Sequence, residues 1–355
     1  MSNIKAYKLK TRYIVYTALT FLSLSFLGFF YNWVNLAGFI GFGVFMLILG
    51  LLRREYALYL AFLELILGSF GYLLSLDVSV LNIPLRMLFF LIIMSLWLMD
   101  FLRSKRTIGY LVTNSRGRIL FSLAIFLTIW VLGILQGYLR GYDLSNIFFD
   151  ANSYIYLLLI LPALFYTNTK DKLSELVRVI LIGSLVLAIK TFVLFITFIK
   201  LRKIGFLEIL YKWIRDLRIG EITSLKNGSY RVFIQSQIYL LIGFLLLVIR
   251  YLYEKTKLIN FLVLAAILSG AIYISLSRSF WVGIIVGLFF LLGLLIYLKI
   301  DSKKIIKAGA VMILAAFIGI STAGLFTPKN ASFSKTVRKR IKMGESALNT
   351  RIEQL

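Results

Sequence analysis

The chain contains no cysteine and no histidine. Those absences remove the disulfide frame, the thiolate nucleophile, the usual zinc ligands and the imidazole base, so neither a metal site nor a cofactor is expected within these residues. Charge is scarce too: Asp, Glu, Lys and Arg make up 15% of 355 residues, against 60% hydrophobic types. So little polar surface cannot cover a water-soluble globule, and lipid is the solvent that fits. Acidic residues are the rarer charge, 15 against 40 Lys and Arg, for a net charge of +25. In a membrane protein that excess first marks cytoplasmic connections and anionic headgroups, and it gives no reason to invoke nucleic acid.

What the chain has in abundance is long apolar runs. A helix needs about 17 to 25 such residues to cross roughly 30 Å of hydrocarbon with every backbone group paired internally. Eleven stretches qualify, near 13–31, 34–52, 56–75, 86–102, 118–139, 152–167, 176–199, 232–253, 258–276, 280–298 and 305–325. The predicted fold is all-α, a polytopic transmembrane bundle of about eleven spans that forms one membrane domain over residues 1–355. Lys5, Lys8, Lys10 and Arg12 precede the first run, but residues 13–31 are too long for a signal-peptide core and lack a small-residue cleavage site, so an uncleaved span is expected. Basic residues resist translocation. Arg53 and Arg54, Lys170, Lys172 and Arg178, Arg250, Lys255 and Lys257, and Lys299 to Lys307 fall in alternate connections, whereas the short connections between them hold only Arg86, Arg140 and Arg278. This asymmetry predicts a cytoplasmic N-terminus in a multi-pass protein of the plasma membrane.

Two outward segments break the charge pattern. In residues 200–231, Phe206, Leu210, Trp213, Ile214 and Leu217 recur at helical spacing opposite Glu208, Lys212, Arg215 and Asp216. That periodicity predicts an amphipathic helix on the outer face, resting on anionic lipid or gathering a lipid-linked substrate. Residues 326–355 carry Val337, Ile341, Leu348, Ile352 and Leu355 among Lys and Arg, a second amphipathic helix that stops in mid-pattern. The expectation is the start of a large outer loop in a longer protein.

Ionisable residues inside spans are costly and mark pathways or partners. Glu64 falls near the middle of the third predicted span and Lys190 in the outer half of the seventh. Each is a candidate for a proton or substrate path, and the two are candidates to pair; for Lys190 the competing reading is a side chain snorkelling to the interface. Three arginines share the outer face on this topology: Arg231 opening the eighth span, Arg278 in the tight turn before the tenth, and Arg351 in the tail. A planar, always-charged guanidinium suits a diphosphate, because two parallel hydrogen bonds fix its oxygens and balance its charge as it leaves.

Arg231 followed by Phe233 and a long span, then Ser275-Leu276-Ser277-Arg278-Ser279-Phe280-Trp281 with Val282-Gly283, then Ser346-Ala347-Leu348-Asn349-Thr350-Arg351, resembles the superfamily of O-antigen ligases and Wzy-type O-antigen polymerases. The likeness covers roughly residues 225–355, and the Ser-Arg-Ser-x-Trp element is its most specific part. It implies transfer of a glycan from a polyprenyl diphosphate carrier to a sugar hydroxyl, on a glycan or lipid acceptor, without metal or nucleotide sugar. Arg231, Arg278 and Arg351 would then hold the diphosphate or glycan. The ligases of that group carry a histidine further along the outer loop, and this chain has none. Ligase and polymerase therefore both stand, and the catalytic base is open among Glu221, Glu345 and Glu353. A transporter or flippase of a lipid-linked or amphipathic anion is the reading from a different class; it would use Glu64 and Lys190.

Overall fold

The computed structural model describes residues 9–78, 81–103, 115–201, 205–225, 230–253, 257–297, 299 and 302–325. It is all-α in character, with 84% of the described residues helical and two small antiparallel hairpins among them. Among the described residues eight helices are long and apolar enough to cross a membrane, the build of a multi-pass membrane protein. Two compact units divide the chain: one holds Met1–Phe39, Phe62–Leu85 and Val177–Leu355, the other Ile40–Ala61 and Arg86–Leu176.

The second unit takes parts of α2 (Asn32–Leu52) and α3 (Arg54–Leu67), then α4 (Leu85–Arg103), α5 (Ser115–Leu139), α6 (Leu144–Ile155) and, after a 3-10 turn, α7 (Ile160–Tyr166). Its apolar helices are tied by a few polar contacts. Arg54 Nε donates to Asp100 Oδ2 at 2.8 Å, and the Tyr166 hydroxyl donates to the same oxygen at 2.8 Å. Asp100, at the inner end of its predicted span, thus joins three helices.

The first unit begins with α1 (Thr11–Phe30), separated from α2 by Tyr31 alone. So short a connection works because Gly28 has no side chain: a Cβ there would stand 3.0 Å from Asn35 Cα. Asn35 in turn donates through Nδ2 to Ser75 O at 2.8 Å and accepts from Ser75 N at 3.1 Å, pinning the hairpin β1 (Ser75–Val78) and β2 (Leu81–Pro84). The unit continues through α8 (Lys170–Lys200) from Val177 on, α9 (Phe206–Asp216), β3 (Gly220–Ser224), β4 (Tyr230–Ile234), α10 (Ile238–Tyr253), α11 (Leu258–Ile274), α12 (Arg278–Tyr297) and α13 (Ser302–Leu325). Small residues bring α11 and α13 together, the usual means of helix association where lipid removes the hydrophobic drive. Gly319 faces Ala266 and Ser269, and Ser269 Oγ donates to Ala315 O at 3.3 Å.

Two expected elements differ. The third predicted span, 56–75, is cut short because α3 ends at Leu67. Gly68 and Gly71 flank the break, and Ser69 is held at φ 53° with its Oγ donating to Ile219 O at 2.9 Å. At 1.5 Å per residue the 14 residues of α3 span only about 21 Å, less than the hydrocarbon core. The eighth predicted span, 232–253, starts as strand rather than helix. Val232 and Ile234 pair with Ile222 and Gly220, with Val232, Ile234 and Ile222 buried on one face of the hairpin. The predicted amphipathic helix is present as α9, and Leu210, Trp213 and Ile214 of its apolar face are buried in the protein. Trp213 Nε1 donates to Ser25 Oγ of α1 at 3.4 Å, and Phe26 packs edge-on against Trp213.

Candidate functional site

Three residues separate α11 from α12, and they are built without glycine. Ser275 is buried; its Oγ donates to Ile272 O at 2.6 Å and accepts from Ser277 N at 3.2 Å. Leu276, 1% exposed, takes φ 49°, a left-handed conformation that costs a β-carbon-bearing residue about 1 to 2 kcal/mol. The turn thereby makes Arg278 the first residue of α12, and Ser277 O accepts the first bond, from Trp281 N at 3.3 Å.

That position is electrostatically unusual. The first turn of a helix has unpaired N–H groups and positive potential, so acidic residues are favoured there. Here the first turn carries no acidic residue, and an exposed arginine stands at its head. Guanidinium and helix end reinforce each other toward an anion.

Arg231 reaches the same turn from β4. Its side chain is 20% exposed, and Nε donates to Ser275 O at 2.8 Å. On the strand's alternating pattern Arg231 shares a face with Phe233, whose ring lies 4.9 Å from the guanidinium carbon. Phe233 stacks on Phe280 of α12 with ring centroids 6.0 Å apart and planes inclined by 13°. A hydrogen bond and an aromatic stack thus fix the β4 arginine against the turn that presents Arg278. Glu221, across the hairpin, places Oε2 4.0 Å from Arg231 Nη1 and is largely exposed, so the pair is weak.

Buried polar atoms occur close by along the chain. Ser236 Oγ and Gln237 Oε1 in the 3-10 turn after β4, and Trp281 Nε1 in the first turn of α12, have no hydrogen-bond partner among the described residues. Most buried polar atoms are satisfied by protein or by ordered water, so these three, in the turn after β4 and the first turn of α12, are open to a further polar partner. Trp281 was visible in the Ser-Arg-Ser-x-Trp element; nothing in the sequence signalled Ser236 or Gln237.

No family model, curated protein or solved structure matches the chain.

The remaining candidates separate clearly. Arg351, Glu345, Glu353 and the whole predicted tail helix lie outside the described residues. Lys190, 8% exposed, does not reach a surface; its Nζ donates to Leu67 O at 3.4 Å, and no carboxylate stands within ion-pair distance of it among the described residues. Glu64 is 2% exposed, and Gly68 gives its Oε1 room, since a Cβ on Gly68 would overlap that oxygen. Lys190 therefore meets the broken end of α3, three residues from Glu64, and serves the carbonyl end of that helix, where a cation is favoured. No cluster of potential metal ligands occurs among the described residues.

Proposed function

We propose that this chain is a plasma-membrane enzyme of about eleven spans, N-terminus cytoplasmic, that transfers a glycan from a polyprenyl diphosphate carrier to a sugar hydroxyl at the outer face. The observation that carries the reading is the bond from Arg231 Nε to Ser275 O, which sets an arginine from β4 beside the turn that ends in Arg278. Two guanidiniums and a helix N-terminus at one place form a cradle for a diphosphate. In the proposed step the acceptor oxygen bonds to the anomeric carbon while the bond from that carbon to the diphosphate breaks. The electron pair leaves on the diphosphate, where the arginines balance it, and the acceptor proton passes to a base, for which exposed Glu221 near Arg231 is a candidate. Either polymerisation of repeat units or ligation of a finished chain fits this chemistry, and the likeness to O-antigen ligases and Wzy-type polymerases points the same way.

Cells carrying wild-type chain, Arg231→Gln or Arg278→Gln provide the test, with the length of lipid-linked and acceptor-linked glycan as readout. Loss of one donor to a developing anion costs about a hundredfold to a thousandfold in rate, so polymer should collapse to unextended carrier in both variants. Normal polymer in both would remove the enzyme reading.

A second reading, transport of a lipid-linked anion, draws on α3. A helix ending short of the hydrocarbon thickness, with a buried lysine at its carbonyl end, is a feature of discontinuous transporter helices. Transfer that persists in purified protein while export fails would favour it.

A further inference from the structure

The second unit holds a cavity of its own between α5 and α6, about 560 Å³ in volume. Trp130, Gly133, Gly137 and Arg140 line it from α5 and its end, spaced three, four and three residues apart, which keeps them on one helix face. Ile147, Asp150, Ala151 and Tyr154 line it from one face of α6 in the same way. Trp130 Nε1 donates to Ala151 O at 3.2 Å, and a Cβ on Gly137 would stand 3.4 Å from Ile147, so the two helices meet at both places. Between them, a Cβ on Gly133 would meet nothing within 4 Å, and the missing side chain leaves the space open. Among the described lining residues the charges are one of each sign, Asp150 and Arg140. Their depths differ. Arg140 follows the end of α5, whereas Asp150 lies six residues into α6, about 9 Å from its start at 1.5 Å per residue, next to the carbonyl that Trp130 holds.

We infer that this cavity binds a soluble zwitterion, its ammonium end at Asp150 beside Trp130 and Tyr154 and its anionic end at Arg140. The order of charge selects the ligand. A carboxylate with aromatic rings beside it holds an organic ammonium both by charge and by the negative ring face. A guanidinium takes a phosphate or carboxylate through paired N–H donors. A plain cation would engage only the first group and a plain anion only the second. Depth selects the source. A phospholipid in a bilayer carries its ammonium on the water side of its phosphate, the reverse of a carboxylate set deeper than a guanidinium, whereas a free zwitterion can enter ammonium first. On the predicted topology the connection between α5 and α6 is an outer one, so entry is from outside. The volume is within the usual range of ligand pockets. The inference is independent of the transfer reading, since none of these residues belongs to the Arg231 patch.

Phosphocholine is the probe, with choline, inorganic phosphate and maltose beside it, each titrated into full-length chain in a polyoxyethylene detergent and followed by calorimetry. Phosphocholine should bind about tenfold tighter than choline or phosphate, and maltose should not bind. A hydrogen bond to a charged group is worth about tenfold in affinity. Asp150→Asn and Arg140→Gln should therefore each weaken phosphocholine about tenfold, and Tyr154→Leu, which removes a ring face, about threefold. Gly133→Leu should abolish binding by filling the cavity. Because its Cβ has open space around it, that variant keeps the packing of α5 and carries the test even where a charge change disturbs folding. Glu208→Gln of α9 should leave binding unchanged. No heat from phosphocholine, equal affinity for choline or phosphate, binding of maltose, or indifference to Asp150→Asn and Gly133→Leu would overturn the site. Displacement of phosphocholine by an equal concentration of dihexanoylphosphatidylcholine would make a lipid headgroup the occupant and overturn the soluble ligand.

Discussion

Two kinds of cation in the first unit are held in opposite ways. Arg278 stands exposed at the head of α12, where local electrostatics disfavours a positive charge, while Arg231, mostly covered, bonds Ser275 O at the end of α11 beside it. Lys190 is sealed inside, bonded to one carbonyl of a helix end that favours a cation. Arg278 makes sense through something outside the protein, while the lysine makes sense through the fold itself. The difference teaches that burial of an intramembrane charge is a weaker sign of a substrate site than placement against the local field.

The largest effect that would break this comparison lies in the arginines and their lysine replacements. Arg231 needs its planar fork, because Nε donates to Ser275 O while the flat guanidinium lies over the Phe233 ring. Arg278, at a helix head, contributes mainly charge. Arg231→Lys should therefore reduce transfer by about a hundredfold, close to Arg231→Gln, and Arg278→Lys by about tenfold or less. Rates of polymer extension in isolated membranes would decide; equal loss in the two lysine variants would place both arginines in the same role.

A smaller effect is expected for Lys190→Met. The change removes a buried ammonium that lacks an ionic partner among the described residues and leaves a chain of similar shape. Replacing buried charge by apolar volume stabilises proteins by about 1 to 4 kcal/mol in favourable cases, against about 1 kcal/mol for a lost hydrogen bond. Thermal unfolding in one detergent should show an unchanged or higher midpoint, with polymer length unaltered. A stable variant that no longer exports or extends glycan would instead give Lys190 a working charge and strengthen the transport reading.

Much of the architecture was legible because lipid imposes a simple rule on sequence, and α9 was legible because Leu210, Trp213 and Ile214 keep helical spacing. What α9 packs against was not, since spacing names the apolar face but not the Ser25 and Phe26 that cover it. The β4 strand was hidden for a related reason: only Gln235, Ser236 and Gln237 part Val232 to Ile234 from the apolar stretch of α10, and a short apolar run so close to a long one looks like more helix. The α3 break did carry a signal in Gly68 and Gly71, masked by the leucines around them. At the site, counting spans placed Arg231 and Arg278 on one face, whereas the orphaned Ser236 and Gln237 atoms emerge only from three-dimensional accounting.

The smallest effect belongs to a charge that answers to solvent alone. On the exposed side of α9, Lys212 Nζ lies 2.8 Å from Glu208 Oε1, one helical turn away, and the ammonium holds that carboxyl below its usual range. A carboxyl whose folded value is lowered adds stability that is complete above the unfolded value and disappears as pH falls through the folded one. Because the pair is screened by water, Glu208→Gln should leave the midpoint of unfolding at neutral pH almost unchanged and leave transfer intact. The variant and wild type should converge as pH drops below about 4. Unfolding midpoints between pH 3 and 7 would measure this, and a loss of glycan extension in Glu208→Gln would show that α9 contributes more to the outer face than a docked helix with a solvated edge.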